Sequence, residues 1–281
     1  HIDDPEGLPG DPMTTLLFHH PAFLAHDTGP GHPERADRLR AVAKVLEHEL
    51  FRPLVRHEAP MADEAVLLLG HPAEYIAELE EARLDAGGHS VRLDPDTVMS
   101  PGSWEAAMRA VGAGIAAVDA VMTAKAHNAF CAVRPPGHHA EARRAMGFCL
   151  FNSIAIAAKH ARKAHGAERV AVVDFDVHHG NGTQDIFWAD KDLFYGSTHQ
   201  MPLYPGTGAV GETGVGNIFN APLREGDRGD AFRFACTDRI LPALDRFRPD
   251  LVVISAGFDA HHRDPLGGLR LTEADFAWIT E

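Results

Sequence analysis

Arg169-Val170-Ala171-Val172-Val173-Asp174-Phe175-Asp176-Val177-His178-His179-Gly180-Asn181-Gly182 runs from a short apolar, β-branched stretch straight into two carboxylates, two imidazoles and a Gly-Asn-Gly turn. Such a run predicts a buried parallel strand. In open α/β sheets ligands bind outside the carboxyl ends of strands, which is where this strand delivers its polar residues. Alternation along an extended chain puts Asp174, Asp176 and His178 on one side, while Phe175 and Val177 pack on the other. Carboxylates buried without partners are costly, so a metal site is a better reading than a solvated acidic loop. Asp176 and His178, two positions apart, supply half of one.

Two further strands are predicted to end at the same edge. Ala129-Phe130-Cys131-Ala132-Val133 leads into Arg134-Pro135-Pro136-Gly137-His138-His139-Ala140. The prolines and glycine stiffen this loop and fix where the paired imidazoles point. In such a pair one ring can abstract a proton while the other orients or stabilises charge. Asp250-Leu251-Val252-Val253-Ile254-Ser255 reads as another fully buried strand, and Ala256-Gly257-Phe258-Asp259 follows it. Asp176, His178 and Asp259 then give three protein ligands with room for water, the open form of a catalytic zinc site.

The remaining pattern is that of an α/β protein. Strands are predicted at Thr14–Phe18, Ala65–Leu69 and Leu193–His199. Helices are predicted at Glu34–Leu50, from Pro72 to Arg83, at Trp104–Ala126, from Asn152 to His165 before Gly166, and at Asp238–Phe247. Gly87-Gly88-His89-Ser90 and Leu93-Asp94-Pro95-Asp96-Thr97 read as exposed turns. Residues 1–12, rich in Pro, Gly and Asp, are expected to form an arm, with one domain over 13–281.

Composition narrows the function. With 281 residues, 45% of them hydrophobic, the chain is long enough for one large globular domain. A net charge of −14 argues against non-specific nucleic-acid binding and suits cationic or neutral substrates. Cys131, Cys149 and Cys236 lack CxxC spacing and sit among apolar residues. They are expected to be free thiols in a reducing compartment, hence in the cytoplasm. No signal peptide is read in this sequence and no apolar run approaches about 18 residues, so no membrane span is expected.

Five motifs in order, HDTGPGHPER, RPPGHHA, AMGFCLFN, VVDFDVHHGNGTQ and SAGFDAHHRDPLGG, carry a family resemblance from about His19 to the end. The chain resembles class II-type members of the metal-dependent histone deacetylase superfamily, which includes bacterial histone deacetylase-like amidohydrolases and acetylpolyamine amidohydrolases. The resemblance implies an arginase/deacetylase-like three-layer fold, a mainly parallel central sheet with helices on both faces. It also implies Zn2+ on Asp176, His178 and Asp259, and the catalytic pair on His138 and His139.

Further roles follow from the resemblance. His139 is implied as general base and then acid, with Asn181 as its ring partner, and His138 as the orienting imidazole, with Asp174 accepting its second N–H. Gly147, Phe148 and Tyr204 would line the acyl channel, and Asp96 the substrate rim. A structural K+ would lie near Asp174, Asp176, His178 and Ser197. The implied reaction is hydrolysis of the acyl amide of an acetylated lysine side chain or an acetylpolyamine, with no direct nucleic-acid or membrane partner. A homo-oligomer is compatible with the sequence. An Asp/His/Asp set also accepts Fe2+ or Co2+.

One departure concerns the family's Gly-Gly-Tyr segment, whose tyrosine stabilises the oxyanion. No such segment follows Ser255, and the chain is expected to be truncated at its C-terminus. This departure motivates an alternative, a metal-binding protein that recognises acyl ligands without turnover. The intact histidine pair favours the hydrolase. A binuclear manganese ureohydrolase would need further acidic ligands where His138 and His139 stand.

Overall fold

The structure, a computed structural model, describes residues 14–281; the expected arm at 1–12 lies outside them. Among the described residues nine strands form in chain order: β1 (Thr15–His19), β2 (Val55–Glu58), β3 (Val91–Arg92), β4 (Val98–Met99), β5 (Asn128–Cys131), β6 (Val170–Asp174), β7 (Leu193–Gln200), β8 (Ile218–Leu223) and β9 (Leu251–Ser255). Eight α-helices accompany them: α1 (Ala36–Val45), α2 (Ala73–Asp85), α3 (Ser103–Met122), α4 (Ser153–His165), α5 (Asn181–Phe187), α6 (Gly229–Ala235), α7 (Leu241–Phe247) and α8 (Glu273–Thr280). All pairings except the short β3–β4 hairpin are parallel, in the orders β2-β1-β5 and β8-β7-β6-β9.

The segment 169–182 sits at the centre. β6 is buried along its whole length and hydrogen-bonds β7 on one side and β9 on the other. Its residues serve two cores in alternation. Val170 and Val172, with Leu193, Tyr195 and Ile218, pack against Ala155, Ala158 and Ala161 of α4. Ala171, with Phe194 and Ala221, packs against Ile240 and Ala243 at α7. Helices therefore cover both faces, which is what an all-parallel sheet of apolar strands requires. Val170 and Val172 are fully buried, each contributing roughly 1.5–3 kcal/mol.

Several expected elements take a different form. Ala65–Leu69 is not a strand but part of a 3-10 helix at Glu64–Leu69. Asp63 caps it by accepting the Ala65 N–H at 2.8 Å, and only Leu67 is buried. An apolar run this short carries too little periodicity to separate the two forms. β9 is not fully buried: it closes the sheet edge and leaves Val252 and Ile254 exposed. β5 is likewise an edge strand and only partly covered. The helix expected at Asp238 starts at Gly229 and re-registers through a π turn at Cys236–Ile240, where Pro242 supplies no N–H to the ladder. The helix expected over Glu34–Leu50 is shorter and is followed by a 3-10 turn at Glu49–Phe51.

α4 has the ends its sequence predicts. Asn152 caps it by accepting the Ala155 N–H at 2.9 Å, and Gly166 closes it in the left-handed region. The Asn152 N–H donates to His71 Nε2 at 2.9 Å, and His71 Nδ1 donates to the Ala142 carbonyl at 3.1 Å. This buried ring, which the sequence reading passed over, pins both ends of the loop between Ala140 and α4. Because Nε2 must accept, the ring is neutral, and burial holds its pKa down to about 4. The unfolded chain then takes up a proton near pH 6.5 that the folded chain refuses until about 4, so stability falls as pH drops through that window. Between pH 7 and 4.5 the parent is expected to lose roughly 2–3 kcal/mol more than a His71→Gln variant in urea unfolding. Equal losses would refute this.

Candidate metal and proton-transfer site

Three loops, following β5, β6 and β9, bring the sequence-selected residues together. His178 Nδ1 lies 3.1 Å from Asp176 Oδ1 and 3.0 Å from Asp259 Oδ2. These three atoms lie within 4.8 Å of one another. The Val177 N–H donates to the other Asp259 oxygen at 2.9 Å, and the His178 N–H to Asp176 Oδ1 at 2.8 Å, so the backbone sets both carboxylates. Phe175 and Val177 point away into a cluster with Phe232, Leu271 and Phe276. The alternation read from the sequence holds past the end of the strand.

Electrostatics favour positive charge among these groups. Burial and the charge of Asp176 push the Asp259 carboxyl up to about 6, while the surrounding imidazoles outweigh burial and hold Asp176 well below the carboxylate range. Burial alone would lower His178, but the two carboxylates raise it to about 10. One imidazole nitrogen and two carboxylate oxygens aimed at one point fit a divalent transition ion, with positions left for water.

The histidine pair sits beside this cluster, with ring centroids 4.0 Å apart. His138 Nδ1 donates to Asp174 Oδ2 at 2.9 Å, and its Nε2 lies 3.9 Å from Asp176 Oδ2. Burial opposes charge on His138, but Asp174 and Asp176 prevail and raise it to about 9. Asp174 is fully buried and also accepts from the Tyr195 hydroxyl at 3.1 Å, which in turn accepts the Gly180 N–H at 3.0 Å. Tyr195 was not singled out from sequence; a lone tyrosine inside a buried strand carries no signal of such a role.

His139 Nδ1 meets Asn181 Oδ1 at 2.8 Å. The Asn181 amide nitrogen donates to Glu141 Oε1 at 2.7 Å, which fixes the oxygen toward the ring. His139 therefore carries its proton on Nδ1 and presents a bare Nε2. Burial, and then the charge on His138, keep its pKa well below the usual value. The two adjacent imidazoles are thus differentiated by one carboxylate and one amide partner, as the sequence reading expects.

The expected channel residues gather over the pair. Tyr204 stands edge-on to His139 at 5.2 Å and to His178 at 6.3 Å, with about a third of its surface exposed. Gly147 packs against the His139 ring at φ +56°, where a Cβ would collide with it. Phe148 also holds a left-handed φ of +69°, rare for a bulky residue, secured by its N–H donating to Thr97 Oγ1 at 3.0 Å. His32 packs edge-on against Phe148 at 4.8 Å and meets the Asp96 carbonyl at 2.9 Å. The turn at Leu93–Thr97 is therefore not simply exposed. Asp94 accepts the Asp96 and Thr97 N–H groups at 2.9 and 2.7 Å, and half-buried Asp96 faces the Gly147–Phe148 backbone.

Beneath the loop of the pair lies an ion pair that the sequence reading did not find. Arg134 Nε and Nη2 donate to Glu34 Oε1 and Oε2 at 2.5 and 2.6 Å, and its Nη1 donates to the Phe23 carbonyl at 2.8 Å. His26 lies 3.4 Å from the same carboxylate. The separation of 100 residues hides this contact from any local pattern.

The profile of the histone deacetylase domain matches residues 32–281. This chain belongs to the histone deacetylase family. It is 44% identical over 256 residues to the histone deacetylase-like amidohydrolase of Pseudomonas aeruginosa, covering 89% of this chain and 67% of that protein. It is 42% identical over 271 residues to a probable deacetylase of Methanothermobacter thermautotrophicus, covering 94% and 80% respectively. The crystal structure of the HDA15 HD domain superposes with a TM-score of 0.90 at 36% identity, over 96% of this chain and 78% of that one. The arginase/deacetylase-like α/β fold is thereby established, and the protein is a deacetylase-family hydrolase. No helix among the described residues is long and apolar enough to cross a membrane.

Proposed function

We propose that residues 13–281 form a zinc-dependent amidohydrolase that removes the acyl group from acetyl-lysine or an acetylpolyamine. The observation that supports this best is the bare Nε2 of His139, whose tautomer is fixed by Asn181, beside the Asp176–His178–Asp259 cluster. Those three residues would hold Zn2+, which when bound polarises the acyl carbonyl and makes a water more acidic. His139 Nε2 takes a proton from the attacking water and returns it to the departing amine nitrogen, so the products are a carboxylate and a free amine. His138, held charged by Asp174, orients the water and steadies negative charge on the carbonyl oxygen. Phe148 and Tyr204 wall a slot for the linear methylene stem, and Asp96 at the rim accepts N–H groups of the substrate.

A structural K+ is proposed where Asp174, the last residue of β6, pairs in register with Ser197 in the middle of β7. The three free cysteines fit a reducing compartment such as the cytoplasm.

Turnover of an acetyl-lysine peptide and of an acetylpolyamine tests the reading, on protein as purified, after chelation and after Zn2+ return. Chelation is expected to abolish turnover and Zn2+ to restore it, with the faster substrate naming the subfamily. Turnover indifferent to chelation would overturn the metal assignment. Tight acyl-ligand binding without turnover in the metal-loaded protein would favour a recognition protein instead.

A further inference from the structure

We propose that Asp119, His160 and His165 form a second divalent transition-metal site, for Zn2+ or an ion of similar preference, at the joint C-terminal ends of α3 and α4. His160 Nε2 and His165 Nε2 both lie 2.7 Å from the same oxygen, Asp119 Oδ1. The two rings stand 5.7 Å apart at 79°, so their Nε2 atoms approach that oxygen from different sides. The three ligand atoms lie within 4.8 Å of one another. An ordinary surface ion pair needs one imidazole per carboxylate and is worth little. Two imidazoles converging on a single oxygen form instead the two-nitrogen, one-oxygen donor set that suits zinc, copper or nickel, with coordination positions left for water.

The helices bring these residues together by a close approach. A Cβ at Gly114 would come 3.3 Å from the Ala157 methyl and 3.5 Å from the Ser153 carbonyl, so α3 and α4 nearly touch there. One and a half turns on, Asp119 meets His160 and His165, which means that the two helices run in the same direction. Both therefore end beside the cluster, α3 at Met122 and α4 at His165. The terminal carbonyls of each helix carry partial negative charge, so two helix ends favour a cation at this spot.

The cluster is separate from the Asp176–His178–Asp259 site. His165 precedes β6 and Asp176 follows it, so the two groups stand at opposite ends of that strand. An ion here clamps the last turns of α3 and α4 and takes no part in the chemistry at the other end.

Metal counting tests the site independently of the proposed reaction. Chelator-stripped full chain is equilibrated with Zn2+, desalted and analysed for bound metal, and titrated with Co2+ while its visible absorption is followed. The parent is expected to bind one equivalent more than His160→Ala/His165→Ala, with turnover unchanged, and Zn2+ is expected to raise the melting temperature of the parent further than that of the variant. Asp119→Asn, which keeps the carboxylate's shape, is expected to lose the same equivalent if the double variant folds poorly. A failure at Asp176, His178 and Asp259 would lower every count by one without removing this difference. Equal metal content in parent and both variants overturns the site.

Discussion

His139→Ala is expected to lower kcat about 10²–10⁴-fold on whichever acetylated substrate the parent turns over, with KM little changed. Of the two adjacent imidazoles, only His139 presents an unprotonated Nε2, because Asn181 accepts at its Nδ1 while donating its own amide to Glu141. His138, by contrast, is held charged by Asp174 and Asp176. The ring removed lies against Tyr204, which is about a third exposed, and against Gly147, and it takes no part in the apolar clusters of the core, so folding should survive. Metal content should remain that of the parent, since Asp176, His178 and Asp259, the proposed ligands, are untouched. A kcat within tenfold of the parent, at unchanged metal content, would move the proton-transfer role elsewhere. Asn181→Asp supplies the complementary reading: a carboxylate facing Nδ1 favours the imidazolium, and the acidic limb of the kcat/KM profile should move to higher pH.

The residues that make this prediction were legible because they stand next to strong local signals. Asp174, Asp176 and His178 follow an apolar strand, His138 and His139 follow a Pro-Pro-Gly turn, and Asp259 follows a third apolar run. Strand-end delivery and two-residue alternation are enough to bring them to one edge. What the sequence concealed depends on distant partners. His71 sits before a helix-opening proline and looks like a surface residue, yet two backbone groups some 70 and 80 positions away hold it. Asp94 and Asp96 look like an ordinary turn, yet the turn faces Phe148 because Thr97 is needed there. Ala65 to Leu69 could be strand or helix on composition alone, and the cap from Asp63 decides it. Val252 and Ile254 read as core because β9 is apolar throughout, but its place at the edge of the sheet leaves alternate side chains exposed.

The buried pair of Arg134 and Glu34 leads to the largest expected effect on stability. Both side chains are almost fully buried, and the bidentate contact satisfies both carboxylate oxygens. Arg134→Met leaves an uncompensated charge in the interior, which typically costs about 3–5 kcal/mol. For a chain of this size that lowers Tm by roughly 6–20 °C. Burial would raise the Glu34 carboxyl, but His26 and Arg134 overcome it and hold it down to about 2, against 4.5 when unpaired. A carboxyl depressed in the folded state stabilises above its unfolded value and ceases to do so as pH falls through the folded one. Without Arg134, burial pushes the Glu34 carboxyl of the variant upward, so the advantage of the parent over Arg134→Met should begin to shrink above pH 4.5, where the stranded charge is neutralised, and fall further as pH drops toward 2. Replacing both partners, Arg134→Met with Glu34→Leu, removes the stranded charge and is expected to recover most of the loss in stability. Activity need not return with it. Arg134 begins the turn that presents His138 and His139 and is tied to the Phe23 carbonyl, so the double variant can regain its melting temperature while the pair stays misplaced. Urea midpoints and kcat measured together on the single and double variants separate the two roles. If the double variant is no more stable than the single one, the pair is not where the stability lies.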